Sequence, residues 1–63
     1  MEMVKVLTSE IKKGDFFEAG NNSFTAISDS YINPKNGAWS VDLHGGYIFG
    51  WESRDKEIEV KRG

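Results

Sequence analysis

A chain of 63 residues with no cysteine and a single histidine must be held by its apolar core: disulfides are excluded, and a lone His44 cannot supply the tetrahedral nitrogen and sulfur set of structural zinc. Its 8 basic and 10 acidic residues give a net charge of -2 and a pI near 5.2, a balance that argues against tight, nonspecific DNA binding, which depends on cations displacing counterions from phosphates. Apolar stretches only a few residues long exclude a helical membrane span of about 20 residues.

One small domain over residues 1–63 is expected, and a domain of this size buries only about 60% of its unfolded surface. The start, Met1-Glu2-Met3-Val4-Lys5, has no basic segment followed by an apolar run. No leader is therefore expected, and the chain reads as complete from its own start codon. Absence of cysteine fits a cytoplasmic location.

Short apolar runs alternate with turn signals throughout, the pattern of a small all-β domain. Met3 to Leu7 is the first predicted strand, and "TSEIKKGD" breaks it with Gly14-Asp15 as the turn. Phe16 to Ala19 is the second, closed by Gly20-Asn21-Asn22, and Phe24 to Ile32 is a longer third. The loop "NPKNG" follows, because Pro34 lacks a ladder donor and Asn36-Gly37 tolerates positive φ. Trp39 to His44 and Tyr47 to Trp51 form a hairpin about Gly45-Gly46, Ser53 to Lys56 is a turn or a single helical turn, and Glu57 to Lys61 is the last strand. Ile58 and Val60 share one face of that strand, suited to Val4 and Val6. No window carries apolar residues at helical spacing over three turns. Five or six short strands with bare edges are expected to curl and close, so the predicted architecture is a small five- to six-stranded barrel.

With the strands placed, "TSEIKKGDFFEAGNNSFTAI" resembles the opening of the small Src-homology-3-like barrels of the KOW kind, a class that includes the N-terminal domain of elongation factor P. Ser9, Ile11-Lys12, Gly14, Phe16-Phe17, Gly20, Phe24 and Ala26 carry the likeness, and "NPKNGAWSVDL" is similar to that family's loop and next strand. The layout covers roughly residues 8 to 60. The resemblance implies a Src-homology-3-like barrel, and it places Lys35 near the loop position whose lysine reaches toward transfer RNA in that factor. The family's further domains have no counterpart here, so the expectation is a free-standing bacterial or bacteriophage miniprotein and not an elongation factor.

"WSVDLHGGYIFGW" concentrates Trp39, Tyr47, Phe49 and Trp51 in one hairpin, and its register decides which rings are buried. With Gly45-Gly46 as a two-residue turn, Leu43 opposes Ile48. Trp39, Val41, Leu43, Ile48 and Gly50 then face inward, and Tyr47, Phe49 and Trp51 point out. With His44-Gly45-Gly46 as a three-residue loop, Leu43 opposes Tyr47 and all the aromatics go inward. The alternation Tyr47-x-Phe49-x-Trp51 suits a buried face, whereas paired glycines suit a type I′ turn. Volume favours the outward stripe, since Phe17, Phe24 and Trp39 already claim a core bounded by Val4, Val6, Ile11, Ile27, Val41, Ile58 and Val60.

An outward stripe of Tyr47, Phe49 and Trp51 beside Asp42 and His44 has the chemistry of a protein-binding patch. The leading expectation is a non-enzymatic interaction module without cofactor or metal. It would bind and modulate a larger protein, as a phage or prophage accessory protein acts on a host factor. The alternative is a nucleic-acid-binding barrel using Lys12, Lys13, Lys35, Lys61 and Arg62 with an aromatic for stacking, which net charge disfavours. Self-association through the aromatic face is a third reading. Ser40, Asp42 and His44 resemble the ingredients of a triad, but alternate strand residues lie about 6.6 Å apart, beyond the reach a nucleophile and its base require. Asn21-Asn22-Ser23 fits a glycosylation sequon, which matters only in a secretory pathway.

Overall fold

The computed structural model describes residues 2–62. The elements follow in the order β1 (Glu2–Leu7), a 3₁₀ turn (Thr8–Glu10), β2 (Phe16–Ala19), β3 (Asn22–Thr25), β4 (Tyr31–Ile32), β5 (Trp39–Asp42), β6 (Ile48–Gly50) and β7 (Glu57–Arg62). They build two antiparallel sheets, one ordered β1-β7-β2-β3 and the other β4-β5-β6. The chain is all-β, as its alternation predicts.

The closed Src-homology-3-like barrel is not what forms: both sheets are open. The stretch expected as one strand from Phe24 to Ile32 is interrupted between β3 and β4 and crosses from one sheet to the other. At the crossing the Ile27 N–H donates to the Asp42 carbonyl at 2.9 Å, and the Asp42 N–H donates to Ser28 Oγ at 3.0 Å. Strands of two residues (β4) and three residues (β6) cannot carry a ladder round a barrel. Aromatic rings fill the space between the sheets instead, so the sheets pack face to face across side chains.

Alternation explains the four-stranded sheet. In β1 and β7, Val4 pairs with Val60 and Val6 with Ile58 on the inner side. Lys5 pairs with Glu59 on the outer side, an opposite-charge cross-strand pair. β2 and β3 form a hairpin whose last pair is Ala19 with Asn22, leaving Gly20-Asn21 as a two-residue turn. Gly20 takes φ +62°, which the first central position of a type II′ turn requires.

The buried core is Ile11, Phe17, Ala26, Val41, Leu43 and Val60, with Val4, Val6, Phe24, Phe49, Trp51 and Ile58 packed partly against it. Each large side chain fully buried is worth about 1.5–3 kcal/mol, and with so few of them each one matters. Three polar residues are also buried: Thr8, Asp15 and Ser40. All three are hydrogen-bonded. Thr8 Oγ1 donates to Asp55 Oδ1 at 3.0 Å and accepts the Lys56 N–H at 3.1 Å. Ser40 Oγ donates to the Ala38 carbonyl at 3.1 Å. Asp15 Oδ2 accepts the Lys12 N–H at 2.9 Å, and its carboxylate also meets Arg62.

Candidate functional site: an apolar groove between the sheets

The hairpin of β5 and β6 pairs Ser40 with Gly50, Val41 with Phe49 and Asp42 with Ile48, and the Leu43 N–H donates to the Tyr47 carbonyl at 2.8 Å. Leu43 therefore opposes Tyr47, and the loop is His44-Gly45-Gly46. This is the three-residue register. It overturns the outward stripe: Val41 and Phe49 share the inner face, and Ile48, expected inside, is 54% exposed. Both loop glycines have positive φ, +85° and +82°, which serves the longer loop as well as it would a tight turn.

Two of the three rings expected to face solvent, Phe49 and Trp51, close a cluster instead, while Tyr47 stays 71% exposed. Phe49 lies 5.2 Å from Phe17, 5.3 Å from Phe24 and 4.9 Å from Trp51, and Trp51 lies 5.1 Å from Phe17. Tilted and edge-on pairs at such separations are each worth about 0.5–1.5 kcal/mol beyond burial. Trp39, assigned to the core by its pattern, is only half-buried. Its N–H donates to the Glu52 carbonyl at 3.0 Å while its own carbonyl accepts the Trp51 N–H at 2.9 Å. Two residues thus oppose one, a bulge that ends the hairpin ladder.

Of the five residues expected to form a protein-binding patch, Tyr47, Phe49 and His44 line one groove of about 730 Å³. Its remaining lining comes from β3 (Ser23, Phe24 and Thr25) and from Ile27, Leu43 and Ile48. Tyr47 is 71% exposed and Ile27 43% exposed, so the walls are apolar and open to solvent. Trp51 is absent from the lining because it packs beneath, on Phe17 and Phe49. Asp42 stands opposite Ile48 and accepts the Tyr31 hydroxyl at 2.7 Å. That bond, together with burial and the nearby negative charge, holds the Tyr31 phenol above its ordinary range.

Sequence reasoning missed the β3 wall and Ile48. Phe24 packs on the core as its apolar character predicts and lines the groove as well, Ile27, expected at the core boundary, is 43% exposed, and nothing local reveals that β3 ends a sheet. Period-two alternation placed Ile48 inside only through the wrong register.

The basic residues are not assembled into a patch by any contact. Lys12 and Lys13 are exposed in the loop before β2, where their backbone N–H groups are held by Asp15 and Asp29 at 2.9 Å each. Lys35 is exposed in the loop after β4. Arg62 is paired with Asp15, and Lys61 Nζ lies 5.5 Å over the Phe16 ring. Two of the five candidate phosphate ligands thus already have partners within the chain.

Ser40, Asp42 and His44 form no relay, since Ser40 bonds the Ala38 carbonyl and Asp42 bonds Tyr31. Among the described residues no group of three or more His, Cys, Asp or Glu side chains could hold a metal ion, and no helix is long and apolar enough to cross a membrane.

Comparison with protein-family models, with curated proteins and with solved structures finds no match. The likeness to Src-homology-3-like barrels of the KOW kind and to elongation factor P therefore reduces to shared turn and strand signals. Its implication for Lys35 falls with it.

Proposed function

We propose that this chain is a non-enzymatic protein-interaction module that receives an apolar segment of a larger protein in the groove between β3 and the β5–β6 hairpin. One observation carries the reading: a partly exposed aromatic and aliphatic groove, with Tyr47 71% and Ile48 54% exposed, in a protein too small to leave such surface uncovered without cost. Floor and wall differ in kind. Phe24 and Phe49 are locked into the core cluster, while Tyr47 and Ile48 stand free above them. A rigid apolar floor with an amphipathic aromatic at the rim suits recognition of a side chain that enters from outside.

Selection of a displayed random-peptide library tests this. The wild-type chain is expected to enrich binders that lose at least tenfold affinity for a Tyr47→Ser, Ile48→Ser variant, both positions being exposed and therefore compatible with folding. Failure to enrich, or equal binding to a folded variant, would remove the groove as a binding site.

A further inference from the structure

Resting on that reading of the groove, we infer that its occupant is an extended strand with alternating apolar side chains and basic flanks, hydrogen-bonded to the free edge of β3. The argument begins with the lining. Ser23, Phe24 and Thr25 are consecutive, and consecutive strand side chains point to opposite faces. A groove that touches all three runs along the edge of β3 and not across one face.

The ladder fixes which backbone groups look into it. From the two-residue turn at Gly20-Asn21, hydrogen-bonded pairs alternate with non-bonded ones: Ala19 with Asn22, Phe17 with Phe24, then Asp15 with Ala26. The last is visible as the Ala26 N–H donating to the Asp15 carbonyl at 2.9 Å. Ser23 and Thr25 are therefore the non-bonded positions, and their N–H and C=O groups point away from β2, toward the groove. Ile27 continues this outward row, and its N–H already bonds the Asp42 carbonyl. One edge thus starts paired at Ile27 and, among the described residues, runs on unpaired at Thr25 and Ser23, because the hairpin turns back at His44.

Edge composition points the same way. Natural sheets blunt free edges with charge or proline. β1 carries Glu2 and Lys5, and β4 runs into Asn33-Pro34. β3 (Asn22–Thr25) and β6 (Ile48–Gly50) carry neither, and both border the groove. Charge names the occupant's ends: the ionised side chains directly across the ladders from groove residues are Glu18, opposite Ser23, and Asp42, opposite Ile48. Both are acidic. Addition of a strand to an exposed edge is an established recognition mode, in which the main chain supplies affinity and alternate side chains supply specificity.

The probe is a capped heptapeptide of alternating valine and threonine with a lysine at each end, added to isotope-labelled protein. Binding should slow amide hydrogen exchange at Ser23 and Thr25 at least tenfold. N-methylation of alternate peptide residues should abolish binding in one of its two frames and spare it in the other, as main-chain pairing on a single edge demands. Thr25→Pro, which removes a donor that β2 does not use, should weaken the peptide at least tenfold, and the N-methyl frames decide the matter should that variant not fold. Peptide or library-derived ligands that bind the groove with both frames tolerated and no slowing at Ser23 and Thr25 would overturn edge pairing and leave the groove reading intact. Slowing of those amides that grows with protein concentration and without peptide would make the occupant a second copy and overturn the basic partner strand. Absence of any groove ligand, from the library included, would overturn both.

Discussion

Asp15 is a carboxylate 1% exposed, reached from 47 residues along the chain by the guanidinium of Arg62, with Nη2 at 2.6 Å from Oδ2 and Nε at 2.9 Å from Oδ1. The fork is bidentate, the geometry in which arginine binds carboxylates most selectively. It ties the last strand to the turn that opens β2. Arg62 first, and then the Lys12 N–H, hold the Asp15 carboxyl below its ordinary value of 3.8, against the opposing effect of its burial.

A depressed carboxyl pKa contributes stability above the unfolded value and loses it as pH falls through the folded one. Urea unfolding between pH 2 and 7 should therefore show stability declining below about pH 4. Asp15→Asn should cost about 1.5–3 kcal/mol at neutral pH, because its amide places a donor against groups that are themselves donors. Its acid decline should be shallower than that of wild type but not flat, since Ser9 and Thr8 hold Asp55 low and Lys56 holds Glu52 low in the same way.

The two tryptophans should separate by their packing. Trp51 touches Phe17 and Phe49 in the core cluster, whereas Trp39 is not among the side chains packed on the core. Trp51→Ala is expected to lower stability by about 2 kcal/mol, discounted from a fully buried ring, and Trp39→Ala by about 1 kcal/mol or less. Chemical denaturation of both variants measures the difference, and the reverse order would contradict the three-residue loop.

Thr8 joins the end of β1 to the approach to β7. Its N–H donates to the Lys56 carbonyl at 2.7 Å, and its hydroxyl bridges the Lys56 N–H and Asp55. Thr8→Val keeps shape and burial but leaves the Lys56 N–H without its acceptor, so it should cost about 1–3 kcal/mol. Amide exchange at Lys56 should accelerate in the same variant.

Tyr31 should ionise above pH 10 in the folded protein, because ionisation loses its bond to Asp42 and sets a phenolate beside a carboxylate. Ultraviolet titration should show the Tyr31 phenol ionising late in wild type and returning toward its ordinary value in Asp42→Asn. With the phenol raised on folding, this contribution to stability is lost as pH rises through the folded value.

The strands read most easily were those whose alternation is local. Phe16 to Ala19 was predicted with its observed bounds, and the inner row of Ile58 and Val60 against Val4 and Val6 was read from spacing alone. The hairpin register was not readable, because paired glycines suit both loop lengths and the decision fell to volume. That argument charged Trp39 and Ile27 to the core. Both stay partly exposed, which leaves room for Phe49 and Trp51 against Phe17. Barrel closure failed for a related reason: Ser28-Asp29-Ser30 is a loop signal inside the stretch expected as one strand, and a loop signal alone does not say that the chain leaves one sheet for the other. Gly14-Asp15 reads as a turn whatever becomes of its carboxylate, and the burial of Asp15 depends on an arginine at the far end of the chain. The groove was half legible, since Tyr47, Phe49 and His44 were singled out by type, while the β3 wall follows from strand order.

The pairing of Glu2 with Arg62 across β1 and β7 governs how this chain reaches its fold. The first and last strands pair from Glu2–Arg62 to Leu7–Glu57, so nearly the whole chain is one loop to be closed, a penalty of about (3/2)RT ln n. Such non-local pairing makes folding slow relative to local hairpins. Glu2 and Arg62 also lie side by side, so a short peptide linker between these two strands would leave their ladder in place, and a break opened in the exposed loop at Pro34-Lys35 would turn β1 and β7 into neighbours in sequence. The hardest contact in the molecule would then become a hairpin.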